Sequence, residues 1–134
     1  MNFTWIEGFA GDREQELFEL YRQEWWTRDR SFDDVANMLK HSDVVLGCCT
    51  EAGRLVGFAR ALTDFTFKAM IFDVIVHADL RGSGIGRAIV DRIIGLPSLA
   101  RVSSFELYCP ERLVPFYEKL GFAEGSAKLL FHQR

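Results

Sequence analysis

The spacing of apolar residues along this chain changes period several times, and each change marks an element. Phe3 to Glu7 alternates and predicts a short first strand. After Gly11-Asp12 the spacing turns helical: Leu17, Leu20, Tyr21 and Trp25 recur at the 3.6-residue interval, with Glu24 as a polar exception, and predict a helix to about Trp26. Ser31 then offers an N-cap hydroxyl, Asp33 and Asp34 suit the positive end of a helix dipole, and Val35, Met38 and Leu39 form the inward stripe of a second helix. Val44 to Thr50 and Leu55 to Thr63 are apolar and β-rich, and Glu51-Ala52-Gly53-Arg54 between them predicts a hairpin. Ala69 to His77, entered from Asp64 to Lys68, is the next strand.

Farther on, Ile85, Ile89 and Ile93, with Val90 and Ile94 beside them, predict a helix that stops at Gly95 before Pro97. Ser103 to Cys109 and Lys128 to His132 are the remaining predicted strands. Between them a short helix spans Phe116 to Leu120; Pro115 has no N–H to donate and fits only its first turn. The predicted order is β-α-α-β-β-β-α-β-α-β, an α/β chain without repeats or linkers.

Composition narrows the function classes. At 134 residues, 49% apolar and 26% charged, the chain is expected to form one domain over residues 1–134 with a real core. Sixteen Lys and Arg against nineteen Asp and Glu leave a net charge of −3, so broad attraction to nucleic acid or an anionic membrane is not expected, and any cationic site must be local. No run approaches the ~18 apolar residues of a membrane span. Met1 to Glu7 lacks the basic region and apolar core of a signal peptide, so a cytoplasmic location is the expectation. Cys48, Cys49 and Cys109 support neither a disulfide framework nor a zinc site, and His41 and His77 have no companion at ligand spacing, so no metal is expected.

The most informative segment is Arg81-Gly82-Ser83-Gly84-Ile85-Gly86, placed between the apolar run Phe72 to His77 and the helix that starts at Ile85. Glycines let main-chain N–H groups come close to an anion, the first N–H groups of a helix have no internal acceptor, and Arg81 adds a charge, so the segment suits a phosphate. A Walker A loop would need Gly-Lys-Ser/Thr, which is absent. A dinucleotide fingerprint would need glycine where Arg87 stands. Alone, the segment equally suits an ordinary glycine-capped strand-to-helix turn.

Arg81-x-x-Gly84-x-Gly86, preceded by Val74-Ile75-Val76-His77-Ala78-Asp79-Leu80, resembles the coenzyme A motif of the GCN5-related N-acetyltransferases. Pro115-Phe116-Tyr117-Glu118-Lys119-Leu120-Gly121-Phe122, about thirty residues on, resembles the C-terminal helix of that family and the glycine turn closing it. Two such motifs in order are far more specific than either alone. The resemblance implies a GNAT-like fold, a mostly antiparallel mixed sheet of about six strands with helices on both faces, and a cleft where the strand before the loop splays from Ser103 to Cys109. It also implies acetyl-coenzyme A as co-substrate, gripped by Arg81, Gly82, Ser83, Gly84, Ile85, Gly86 and Arg87, with main-chain groups of Val74, Ile75 and Val76 at a strand bulge meeting the pantetheine and thioester.

Acetyl transfer to an amine requires a neutral amine, a site for carbonyl charge and a proton for the departing thiolate. Tyr117 matches the family tyrosine that protonates the sulfur, and a phenol of reference pKa about 10 is protonated at neutral pH. The competing reading makes it a core aromatic beside Phe116. For the base, Glu106 on the cleft-lining strand comes first and Asp73 second, since a partly desolvated carboxylate would have a raised pKa. Either carboxylate could instead serve a structural partner. The family often has Pro at the position of Ala78, and Asn where this chain has Cys109-Pro110-Glu111-Arg112.

Trp25-Trp26-Thr27-Arg28-Asp29-Arg30 and Asp64-Phe65-Thr66-Phe67-Lys68 match the segments that shape the acceptor pocket in the family. Aromatics with Asp29 or Asp64 would suit a small cationic amine, whereas Arg28 and Arg30 would suit one bearing a carboxylate; the tryptophans could also simply pack the core. The expected activity is direct transfer to a small-molecule primary amine in a ternary complex. A protein or peptide acetyltransferase and a non-catalytic acetyl-coenzyme A sensor are the alternatives. Small members of the family often pair through edge strands, so a homodimer is also an expectation.

Overall fold

The computed structural model of the chain describes residues 2–9 and 12–134. The predicted helix start at Gly11 falls outside the described residues. Five strands, β1 (Phe3–Glu7), β2 (Val44–Thr50), β3 (Leu55–Thr63), β4 (Lys68–Val76) and β5 (Ser104–Glu106), lie in the sheet in chain order. The first four are antiparallel neighbours, and β5 runs parallel to β4. Helices α1 (Arg13–Tyr21) and α2 (Phe32–Lys40) cover one face, α3 (Ile85–Ile94) covers the other, and α4 (Val114–Glu118) is a short final helix.

Two apolar layers sandwich the sheet. Ile85, Ile89 and Ile93 of α3 pack on Leu46, Cys48, Val56 and Ile71, while Leu17, Leu20 and Tyr21 of α1 and Val35 and Leu39 of α2 pack on Val45, Phe58 and Ile75. The 3.6-residue stripes therefore meet the period-2 faces as the sequence pattern requires. The α3 contact is close: a Cβ on Gly57 would come within 2.8 Å of Ile89 Cδ1 and 3.0 Å of Ile85 Cγ2. Ser31 caps α2 by accepting the Asp34 N–H at 3.1 Å.

The structure departs from the expected elements at four places. The first helix ends at Tyr21, not near Trp26, because i→i+3 bonds tighten its end and the Thr27 hydroxyl donates to the Tyr21 carbonyl at 2.6 Å. Residues 22–31 then form a connector of turns. The strand expected over Ser103–Cys109 pairs only at Ser104–Glu106. Lys128 to His132 forms no strand: β5 offers three paired residues, too short an edge to template a sixth, and Leu130 of the run is 88% exposed. The sheet accordingly has five strands rather than about six.

The fourth departure lies in β4, at its pairing with β3. Phe58 pairs with Ile75 and Arg60 with Phe72, so Asp73 and Val74 together face Ala59 across a β-bulge. Asp73 has φ +57°, the left-handed region that Asp tolerates better than bulky residues. The extra residue shifts the strand's parity, so that Ile71 and Val74, three apart, both pack on the α3 side. The bulge thus centres on Asp73 and Val74, not on Val74 to Val76.

Candidate active site

Three features converge at the carboxyl end of β4. Parallel pairing with β5 stops at Met70 and Glu106, so β4 runs on from Ile71 to Val76 with no strand on its β5 side. A wedge opens there, its mouth marked by Phe72 and Tyr108, edge to face at 5.9 Å. The strand then gives way to the glycine turn and to α3. Gly82 and Gly84 adopt φ of +81° and +88°, and a Cβ built on either meets no atom within 4 Å, so the space above the turn is open. No side chain caps α3, whose first internal bond runs from the Ala88 N–H to the Gly84 carbonyl at 3.1 Å. The N–H groups of Ile85, Gly86 and Arg87 are therefore the unmatched donors of a ten-residue helix.

This cradle fits a diphosphate: open space, left-handed glycines, free donors and two arginines stand together. Arg81 is ion-paired with Glu24 of the connector, and Arg87 faces Asp91 at 3.6 Å. The Ala78 N–H, just upstream, donates to Gln23 Oε1 at 2.8 Å.

The two sequence motifs meet in space. A Cβ on Gly86 would lie 3.5 Å from Phe116 Cζ, so the first turn of α3 abuts α4. The α4 helix closes on Gly121, with the Phe122 N–H bonded to the Tyr117 carbonyl and the Gly121 N–H to that of Glu118, both at 3.1 Å. This closure places Phe122 back against Tyr117, between whose neighbours Phe116 and Phe122 the ring is held edge to face at 4.9 and 5.8 Å. Tyr117 is 8% exposed; burial first, and the nearby Cys109 second, push its pKa up to about 12. It keeps its proton at neutral pH.

The three predicted acid and base residues divide into two places. Tyr117 and Glu106 line one groove of about 610 Å³, together with Lys68, Met70, Tyr108 and Cys109, and the tail from Phe122 to Leu129 forms its far wall. Glu106 is ion-paired with Lys68 at 2.9 Å and accepts from the Ser104 hydroxyl at 3.2 Å; the Lys68 bond, above all, holds its pKa below the usual carboxylate value.

Asp73 lies elsewhere, on the α1 side of the bulge. Its carboxylate takes Arg30 at 2.7 and 3.3 Å, Arg60 Nε at 2.9 Å and the Tyr21 hydroxyl at 2.9 Å. Burial alone would raise its pKa, as expected from sequence, but the two arginines outweigh burial and lower it. Its pKa is shifted in the same direction as that of Glu106, but Asp73 is buried against two guanidinium groups where Glu106 is half-exposed with one lysine. Tyr21 and Arg60 carry no motif; an apolar stripe and a strand position hid their polar ends, and Arg30, one of the two arginines that would suit a carboxylate-bearing acceptor, is bonded to Asp73.

Trp25 and Trp26 are exposed, as are Phe65 and Phe67 at the β3–β4 turn. They do not pack the core. Among the described residues, no cluster of three His, Cys, Asp or Glu could hold a metal ion, and no helix is long and apolar enough to cross a membrane. A second depression, about 680 Å³, lies beside Phe9, Leu39 and Val45 and contains none of the candidate residues.

The profile of the acetyltransferase (GNAT) family matches residues 5–122. The chain belongs to this family. Among curated relatives of this GNAT chain, an uncharacterized N-acetyltransferase ycf52 of Porphyra purpurea is 36% identical over 80% of the chain and 63% of its own length. Serotonin N-acetyltransferase 2, chloroplastic, of Oryza sativa subsp. japonica is 39% identical over 70% of the chain and 48% of its own length. The GNAT chain thus spans about half to two thirds of these relatives. The crystal structure of glucosamine-6-phosphate N-acetyltransferase from Arabidopsis thaliana shares the fold, with TM-score 0.80 at 18% identity over 98% of this chain and 99% of that one.

Proposed function

We propose that this GNAT acetyltransferase binds acetyl-coenzyme A and passes the acetyl group directly to the primary amine of a small molecule. The observation that carries the reading is an open glycine cradle following a strand unpaired on its β5 side, with the first turn of α3 abutting α4, whose Tyr117 shares a groove with Glu106. Acetyl-coenzyme A supplies the thioester. The N–H groups at the start of α3, with Arg81, hold the diphosphate, and the β4 backbone from Asp73 to Val76, unpaired on its β5 side, lines the path of the pantetheine arm. Glu106 accepts a proton from the acceptor ammonium, either directly or through water. The Tyr117 hydroxyl, protonated at neutral pH, donates to the leaving sulfur.

The groove supports a small acceptor because its lining combines apolar Met70, Leu107, Tyr108 and Phe122 with the carboxylates Glu106, Glu118 and Glu124 and the ammonium groups of Lys68 and Lys128. Such a lining suits an amine joined to an apolar or aromatic body. A second reading, transfer to a protein lysine, draws on a relative named histone acetyltransferase TAP1 of Glycine max, 32% identical over 72% of this chain and 46% of its own length. A screen of arylalkylamines, polyamines, amino acids and lysine peptides, reading released coenzyme A thiol, tests both. The proposal predicts thiol release with small amines; release with peptides alone would favour the second reading. No binding of coenzyme A in calorimetry would overturn both.

A further inference from the structure

The connector between α1 and α2 is tied to the cofactor elements at three points. Gln23 accepts the Ala78 N–H at 2.8 Å, Glu24 pairs with Arg81, and Arg30 clamps Asp73 at the bulge. Between these ties stand the exposed rings of Trp25 and Trp26. The middle tie is unlike the others, because it occupies the half-exposed guanidinium of the residue that opens the glycine turn.

An incoming diphosphate brings at least two negative charges to Arg81, and the Glu24 carboxylate already lies against that guanidinium. Two anionic groups on one guanidinium repel, and Arg87, the other arginine of the loop, faces its own carboxylate at Asp91. Resting on the acetyl-coenzyme A reading above, we propose that Glu24 is an internal competitor for the diphosphate: cofactor binding draws Arg81 away from Glu24, and that release moves the connector carrying Trp25 and Trp26. Glu24 thereby sets the donor affinity of the site and ties donor occupancy to the acceptor-side wall.

Calorimetry with coenzyme A on wild type, Glu24→Gln, Arg81→Ala and the double variant tests the competition, while tryptophan emission during the same titration tests the movement. Losing an exposed competing ion pair should tighten coenzyme A binding about two- to fivefold in Glu24→Gln. In the Arg81→Ala background the same change should give no gain. Wild-type emission should shift on titration, and the shift should shrink in Glu24→Gln, whose connector has already lost its tie to Arg81.

Weaker or unchanged binding in Glu24→Gln would overturn the inference, showing Arg81 shared or oriented by Glu24. A gain that survives without Arg81 would also overturn it, pointing to general charge repulsion. An emission shift of equal size in both proteins would remove the coupling to the connector. Wild type that takes up no coenzyme A would instead sink the cofactor reading itself, an outcome distinct from the other three.

Discussion

Asp73 and Glu106 stand on adjacent strands, and both are carboxylates beside the wedge, yet their surroundings are opposite. Asp73 is 6% exposed at its side chain and holds two guanidinium groups and a phenol; Glu106 is 39% exposed and holds one lysine and one hydroxyl. A buried carboxylate with two cations cannot take a proton without leaving Arg30 and Arg60 uncompensated. It is committed to holding the bulge, and through Arg30 the connector, in place. A carboxylate at the groove edge can exchange one partner for another at little cost, as proton transfer requires. Desolvation alone therefore does not make a base; the count of cations around the group decides.

The contrast breaks most visibly on stability. Asp73→Ala leaves two partly buried guanidinium groups without a counter-ion, at a cost of about 3 kcal/mol, the lower end for a broken buried pair because Arg30 retains water access. In a chain of this size the loss lowers the melting temperature by about 10 °C in calorimetric scans. Glu106→Ala should change it by less than ~1 kcal/mol, as expected for an exposed pair. Equal losses would erase the distinction between the two sites.

On turnover the ranking reverses. Glu106→Gln keeps the shape of the side chain and removes its basicity, so kcat should fall by about 100-fold with the melting temperature unchanged. A rate within twofold of wild type would assign the proton to water and leave Glu106 as the partner of Lys68. Tyr117→Phe should cost less, roughly tenfold in kcat with coenzyme A affinity preserved, because a thiolate leaves more readily than most groups that need protonation. With its pKa near 12, Tyr117 should add no alkaline limb to kcat between pH 8 and 10. A wild-type rate in the phenylalanine variant would return Tyr117 to the aromatic cluster of Phe116 and Phe122.

Much of this arrangement is legible in the residues. Ile85, Ile89 and Ile93 predict α3 and its buried face, and the glycines around Ser83 predict the open turn, because both depend on local spacing. What stays hidden depends on partners distant in the chain. Alternation along β4 cannot show that Asp73 is an extra residue, since the bulge is stabilised by Arg30 and Arg60, forty-three and thirteen positions away. Lys128 to His132 has a strand's composition but no long edge to pair with, and edge length is a property of the assembled sheet. The pairing of Arg81 with Glu24 spans fifty-seven positions and leaves no periodic trace.

The smallest effect is the most direct probe of the Asp73 site, because it reads the carboxylate without removing it. The folded-state pKa of Asp73 lies below its ordinary value of 3.8, so ionised Asp73 contributes stability that is fully present above about pH 4 and is lost as the pH falls through that value and toward the lowered folded pKa. As the pH falls from about 6 to about 3 the unfolded chain takes up this proton more readily than the folded chain, so the folded state loses stability and the melting temperature falls. Asp73→Asn has no proton to gain, and its melting temperature should fall correspondingly less over the same range, with the other carboxylates contributing equally to both proteins. Parallel curves for the two proteins would mean that Asp73 titrates as it does in the unfolded chain, and that Arg30 and Arg60 do not outweigh its burial.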